Sequence, residues 1–280
     1  MSVAFYCWIY SAKQAEIDVI LHECVPNFDP SILEQCLWPD YNVSSLVWSA
    51  ADEGLPIRRE RRYSLCIRKT LGPSLLSFND LTWSSLIFCN RVVTASIFFQ
   101  ASADHIDGLR HDLCDRKRFP QTRIRSTGEP GKWAWEVLMS RSERDVLLAM
   151  RKKANEYAKE NPSMDLSKKC WLLNLSQSLS FQPKCGQFEL SVIPALLRSS
   201  KFFIDFYDTK KSRFVHPLEC MAMQGLPVLL PPDHFAHQVC NFEETLKAAG
   251  ISFQKMAALS GNGMNLSSVG QVLFFALATV

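Results

Sequence analysis

The chain has 280 residues, of which 47% are hydrophobic and 21% are charged. This is the balance of a globular protein that can bury a sizeable core, in one large domain or two smaller ones. The composition excludes a disordered, collagen-like or coiled-coil protein. Lysine and arginine exceed aspartate and glutamate by 31 to 28, and the resulting net charge of +3 is too small to indicate a nucleic-acid partner by itself.

The cysteines and the apolar runs bear on the location of the protein. The ten cysteines include no CxxC pair, which favours reduced thiols in a nuclear or cytosolic protein over a secreted disulfide framework. The run 1–10 lacks the charged start and cleavage site of a signal peptide, and the run 86–99 is too short to span a bilayer. We therefore expect a protein of the nucleus, if eukaryotic, or of the cytoplasm, without export or membrane segments.

The first 70 residues alternate between helix and strand patterns. Residues 1–15 and about 30–37 read as helices. Short apolar runs at 17–22, 43–49 and 62–68 read as strands, because they are rich in β-branched residues and are bounded by Pro or Gly turns. This order predicts an α/β sheet.

From about residue 70 to 205 the pattern becomes irregular, with one clear helix for which Ser142 is the expected N-cap. A helix then follows from Pro217 to about Gly225, and a last one runs from about Leu266, preceded by a turn at 261–263. We interpret the irregular region as a separate domain.

The segment HECVP (22–26) places Glu23 at the carboxyl end of a predicted buried strand, where open α/β sheets bind ligands. Burial there would raise the pKa of this carboxyl group and let it donate a proton. The alternative is a surface glutamate that closes the strand.

The segment GLPIRRERRY (54–63) carries an arginine pair. On an extended chain Arg59 and Arg61 share one face, whereas Arg58 and Arg62 share the other. Two neighbouring guanidinium groups suit a carbonyl oxygen or a phosphate. The alternative is a solvated run of charge at a strand edge.

The segment LSGNGMNLSSVG (259–270) has a glycine-rich turn before the last helix. Gly261 and Gly263 permit unusual backbone angles, and the free N–H groups of the next helix face the turn, so a small polar ligand could lie there. A plain loop that starts the helix is equally compatible with the pattern.

The order of these segments resembles the later half of the cytosine-5 DNA methyltransferase family. Glu23-Cys24-Val25 resembles the family's ENV motif, and Gly54 to Arg61 resembles GVPQRRER. Val215 to Pro227 is similar to LTPREcaRLQGFP, and Gly261 to Met264 is similar to GNSV. The resemblance implies a partial Rossmann-like methyltransferase catalytic domain at 1–70 and 205–280, with an irregular target-recognition domain inserted at 71–204.

In this family a cysteine adds to C6 of a flipped-out cytosine, and a methyl group passes from S-adenosylmethionine to C5. By resemblance, Glu23 is the proton donor to N3 and Arg61 holds the O2 carbonyl, with Arg59 beside it. Asn262 and Gly263 would line one side of the cofactor pocket. DNA is the implied partner.

The family's Pro-Cys motif and Gly-rich cofactor loop have no counterpart in this sequence. Cys7 and Cys185 are the nearest substitutes, and we expect both to be structural or incidental. The resemblance therefore predicts a truncated fragment that is inactive alone, with a complementing N-terminal half as a further partner. A non-catalytic nucleic-acid-binding module that retains the fold is the alternative.

In the middle region a basic cluster spans 110–126 and is expected to form a loop. Within a target-recognition domain such a loop would contact phosphates; a solvated surface loop is the alternative. No metal site is predicted, because no cysteine or carboxylate completes a ligand set with His234 and His237. The predicted nucleic-acid contacts are Arg116, Lys117, Arg118, Arg123 and Arg125.

Overall fold

The chain forms two compact units in the computed structural model. The first unit comprises Met1–Val92 and Met264–Val280, and the second comprises Val93–Gly263. The structure describes residues 3–72, 93–120, 135–163, 165, 170–181, 193–206, 212–230, 233–234 and 241–278.

Helices and strands of the first unit follow one another closely along the chain. They are α1 (Val3–Gln14), β1 (Val19–Cys24), α2 (Ser31–Leu37), β2 (Tyr41–Trp48), β3 (Arg61–Arg68) and, at the end of the chain, α8 (Leu266–Ala278). A short 3-10 helix, Ala50–Glu53, lies in the segment between β2 and β3. These bounds confirm the predicted early helices, the predicted strands and the terminal helix.

The three strands form an antiparallel sheet in the order β1-β3-β2, with β3 in the centre. Alternate side chains point to opposite faces of the sheet. One face packs against α8 through a cluster that includes Trp48, Tyr63, Leu65 and Val272. The other face packs against α1 and α2, so the sheet lies between two helical layers. Among the described residues the outer edge of β1 has no strand partner.

The second unit contains a second antiparallel sheet and five α-helices among its described residues. The helices are α3 (Ala103–Lys117), α4 (Arg141–Glu160), α5 (Pro217–Met223), α6 (Phe242–Ala248) and α7 (Phe253–Asn262). The strands are β4 (Cys170–Asn174), β5 (Phe202–Phe206) and β6 (Arg213–Phe214), in that order across the sheet. Its main core joins α3 and α4 to this sheet around Leu147, Trp171 and Phe203.

Two local predictions in this unit are wrong. The N-cap of α4 is Ser140, not Ser142, because the Ser140 hydroxyl accepts the Glu143 N–H while the Glu143 carboxylate accepts the Ser140 N–H. The basic segment from residue 110 is helical up to Lys117 rather than a loop. The capping box of Ser102 and His105 starts this helix, and Pro120 comes only after its end.

The boundaries of the two compact units differ from the domain boundaries expected from the sequence. Residues 205–263 belong to the second unit, whereas the sequence-based division groups 205–280 with 1–70. The assignment of these regions to catalytic and target-recognition domains stays a prediction. Within the described part of the chain, none of the helices combines the length and the apolar character needed to cross a membrane.

Candidate functional site

Glu23 and Arg61 meet at one end of the first unit's sheet. Glu23 lies opposite Tyr63 in the pairing of β1 with β3, and Arg61 shares that face because it precedes Tyr63 by two residues. The Arg61 Nε lies 3.0 Å from the Glu23 Oε1, with 20% and 16% of the two side chains exposed. The two side chains are therefore close enough for one base to contact both, and their catalytic roles stay predictions.

Arg59 lies beside this pair and is only 6% exposed. Burial lowers the pKa of Arg59, the charge of Arg61 adds to that shift, and Glu23 opposes it. Arg58 instead points to solvent and pairs with Glu60 at 3.5 Å, as strand alternation predicts. Arg62 also turns away, since its Nε donates to the Pro26 carbonyl.

Tyr63 is a buried neighbour of Glu23 and Arg61, and it was not predicted as a site residue. Its side chain is 1% exposed. Burial raises the pKa of the Tyr63 hydroxyl, and the nearby carboxylates of Glu23 and Glu53 raise it further. The phenol is therefore neutral at physiological pH and can act as a hydrogen-bond donor or acceptor.

Hydrogen bonds of Ser49 hold the loop between β2 and β3 in place. The Ser49 hydroxyl accepts the backbone N–H of Arg59 at 3.1 Å, and Ser49 also forms a capping box with Asp52. Gly54 ends the short helix with a φ of 81°, a left-handed conformation that favours glycine. These contacts hold the backbone that leads to Arg59 and Arg61.

Glu53 supports the same loop and was also missed by the sequence analysis. It is 4% exposed, and its carboxylate accepts the Trp48 Nε1–H at 2.8 Å and the Ser267 hydroxyl at 2.5 Å. It therefore ties the loop to β2 and to α8. The capping residues Ser49 and Asp52 were the available sequence signal for this loop, whereas nothing in the local pattern marks Glu53 as buried.

Cys24 lies next to Glu23 but is poorly suited to nucleophilic attack. Burial, followed by the charge of Glu23, raises the pKa of its thiol to about 11, so little thiolate forms at neutral pH. Cys7 is an exposed residue of α1, and Cys185 lies outside the described residues. The described residues contain no group of three or more His, Cys, Asp or Glu side chains arranged as a metal site.

The glycines at 261–263 do not act as predicted. Gly261 and Asn262 belong to the last turn of α7, and neither Gly261 nor Gly263 has a positive φ. A Cβ on Gly261 would lie 2.3 Å from the backbone of Leu197 and Arg198, so protein backbone occupies the space that the missing side chain leaves.

The N–H groups that begin α8 are also occupied, because the Asn265 Oδ1 accepts those of Ser267 and Ser268. The side chain of Asn262 is exposed. The Gly261 backbone and the N–H groups of Ser267 and Ser268 are therefore not open to a ligand. Asn262 and Gly263 belong to the second unit, and their place in a cofactor pocket stays a prediction.

The basic residues proposed for nucleic-acid contact lie at the end of α3. Arg116 pairs with Asp112 at 2.5 Å, and Lys117 donates to the Leu138 carbonyl. Arg118 ends the helix in a left-handed conformation with a φ of 54°. Arg123 and Arg125 lie outside the described residues.

Comparison with solved structures identifies the fold as Rossmann-like and of the methyltransferase type, which confirms the predicted fold class. The structure of Schizosaccharomyces pombe Dnmt2 methyltransferase matches with a TM-score of 0.53 and 14% identity. The match covers 93% of this chain and 66% of that one, so the chain spans slightly less than two thirds of its relative.

A methyltransferase of Entamoeba histolytica, EhMeth, matches at 12% identity with a TM-score of 0.41, covering 93% of this chain and 62% of that one. No protein-family model and no curated protein matches the sequence.

Proposed function

We propose that this chain carries the cytosine-binding part of a DNA cytosine-5 methyltransferase site. The observation that supports this most is the 3.0 Å contact between Glu23 and Arg61. These residues are 38 positions apart, and each belongs to a different motif of the family that the sequence resembles. The antiparallel pairing of β1 with β3 brings these two motifs together at one end of the sheet.

In this proposal the chain's own residues bind and orient the base. The Glu23 carboxyl group takes a proton from solvent once the base separates it from Arg61, and then donates it to N3 of the cytosine. Arg61 donates to the O2 carbonyl, and Arg59 adds positive charge beside it. The ion pair is closed in the structure, so an entering base would separate the two side chains and replace their contact with hydrogen bonds of its own. In the family, methyl transfer uses S-adenosylmethionine, but neither the Gly261 backbone nor the N–H groups of Ser267 and Ser268 are open to it.

The second candidate is a non-catalytic module that binds nucleic acid and retains the fold. The raised pKa of the Cys24 thiol favours this alternative, because that thiol is a poor nucleophile at neutral pH. Both candidates share DNA as the partner. They differ in whether the site distinguishes a displaced cytosine from an empty position.

A binding experiment with the full chain separates the two candidates. One DNA duplex carries an unpaired, displaceable cytosine, and a second lacks the base at that position. We expect the chain to prefer the cytosine duplex by about tenfold, or about 1.4 kcal/mol. Fluorescence anisotropy would measure both dissociation constants.

Arg61→Gln and Arg58→Gln form a matched pair for this experiment, since each removes one positive charge from the same segment. We expect Arg61→Gln to abolish the cytosine preference, whereas Arg58→Gln should preserve it, because Arg58 points to solvent. Equal affinity of the unmodified chain for the two duplexes would exclude the base-binding function. Tight binding without preference would favour the non-catalytic module.

A further inference from the structure

The second unit contains a cavity of about 860 Å³ whose wall is strongly basic. This volume is within the range of about 300–1,000 Å³ that is typical of small-ligand sites. Five cationic side chains line the cavity and come from three parts of the unit: the end of α3, the segment before β5, and α7. They are Arg116, Lys117, Arg198, Lys201 and Lys255.

Glu143 is the single carboxylate among the described lining residues, so the wall carries a formal charge of +4. That carboxylate is already engaged, because it lies 2.6 Å from the Lys201 Nζ and accepts the Ser140 N–H at 2.7 Å. Within the described residues, Arg198 and Lys255 have no ion pair and are exposed. Their charges are available to a ligand.

The positive groups also crowd one another. Burial lowers the pKa of Lys117; Glu143 opposes this shift, whereas the charges of Lys201 and Arg116 add to it. An anion in the cavity would relieve this repulsion, since opposite charges within a few ångströms stabilise the charged form of a lysine. The wall therefore favours a ligand with more than one negative charge.

The rest of the lining is apolar and partly aromatic. Leu113 and Phe253 are half-buried, and the buried side chains of Leu138, Phe202 and Phe214 also line the cavity. A flat aromatic ring can pack against such side chains, whereas an inorganic phosphate or a sugar phosphate gains little from them. A wall that combines cations with apolar side chains matches a molecule that carries both phosphates and a heteroaromatic ring.

We propose that this cavity binds a nucleotide, either free or within a nucleic-acid strand, with its phosphates on the basic side chains and its base against Leu113 and Phe253. This cavity is distinct from the cytosine site, because other residues line it and they belong to the other unit. It also extends the basic cluster seen in the sequence, since Arg198, Lys201 and Lys255 join Arg116 and Lys117.

Calorimetric titration of the full chain with adenosine, AMP, ADP and a short single-stranded oligonucleotide tests the proposal. If the nucleotide is free, affinity should increase from adenosine to AMP to ADP and decrease with added salt. If it belongs to a strand, the oligonucleotide should bind with a similar salt dependence and the mononucleotides should not. Inorganic pyrophosphate tests the base contact, and binding as tight as that of ADP would overturn it.

Two double variants test the location. Arg198→Gln with Lys255→Gln removes two unpaired charges from the wall, and Lys152→Gln with Lys153→Gln removes two exposed charges from α4, outside the cavity. We expect the first variant to weaken binding by about tenfold or more, as for the loss of charge-assisted hydrogen bonds, and the second to have little effect. Equal losses, or no binding of any nucleotide or oligonucleotide, would refute the proposal. Both readouts are independent of the cytosine preference, so the two proposals can fail separately.

Discussion

Replacement of Gly261 by alanine should destabilise the second unit, although alanine normally favours a helix. Gly261 lies in the last turn of α7, where its backbone meets that of Leu197 and Arg198. The new Cβ would lie 2.3 Å from the Leu197 carbonyl carbon and from the Arg198 nitrogen, and 2.4 Å from the Leu197 oxygen. All three contacts are to backbone atoms, which cannot move away by a change of rotamer.

The size of the effect follows from this geometry. Ordinary contact of a Cβ begins at 3.4 Å, so α7 and the segment at Leu197 would have to separate by about 1 Å. Overpacking of this kind costs about 1–3 kcal/mol. The gain in helix propensity from glycine to alanine is at most about 1 kcal/mol and is smaller at a helix end. The net free energy of unfolding should therefore fall by about 1–2 kcal/mol.

Urea unfolding followed by circular dichroism measures this change, with Gly108→Ala as the matched control. Gly108 lies within α3 of the same unit, and its new Cβ would meet only the Phe253 ring at 3.8 Å. The control should be stabilised by about 0.5–1 kcal/mol. If Gly261→Ala were as stable as Gly108→Ala, the close packing at Gly261 would not exist.

Four further results are expected. Glu53→Gln should lower the free energy of unfolding by about 1–3 kcal/mol, because a neutral amide replaces the carboxylate that accepts two hydrogen bonds. Urea unfolding measures this change. Iodoacetamide should modify the exposed Cys7 rapidly and Cys66 hardly at all, since Cys66 is 0% exposed and burial raises its pKa to about 12. Peptide mass spectrometry measures the modification of each cysteine, and faster modification of Cys66 than of Cys7 would contradict this expectation. Burial lowers the pKa of His216 from 6.5 to about 3, so only the unfolded chain binds a proton between those values, and stability should decrease as the pH falls from 6.5 by up to about 1.4 kcal/mol per pH unit. His216→Asn should reduce this dependence, and an unchanged slope would contradict the assignment. The chain alone should transfer no methyl group from labelled S-adenosylmethionine to cytosine-containing DNA, whereas incorporation above that of a heat-treated sample would show a nucleophile that we have not identified.

The first unit was largely predictable, because its elements depend on local patterns. Its strands are short apolar runs between Pro and Gly turns, and strand alternation alone separates Arg59 and Arg61 from Arg58 and Arg62. That Glu23 and Arg61 belong to one site was inferred from the order of the motifs, because the sequence around either residue does not point to the other.

The remaining features depend on contacts between distant parts of the chain. Glu53 is buried because Ser267, 214 residues later, supplies a hydrogen bond. Gly261 is required by backbone 63 to 64 residues earlier, which a glycine-rich pattern does not distinguish from a flexible turn. The capping box at Ser140 was visible in the sequence, because a glutamate three residues after a serine marks a helix start better than Ser142 does.

A structure of the full chain bound to DNA with a displaced cytosine tests most directly whether Glu23 and Arg61 hold a cytosine between them. We expect the base between the two side chains, with O2 facing the Arg61 guanidinium, N3 facing the Glu23 carboxyl group, and the 3.0 Å contact broken. A complex in which that ion pair stays closed and the cytosine lies elsewhere would contradict the account.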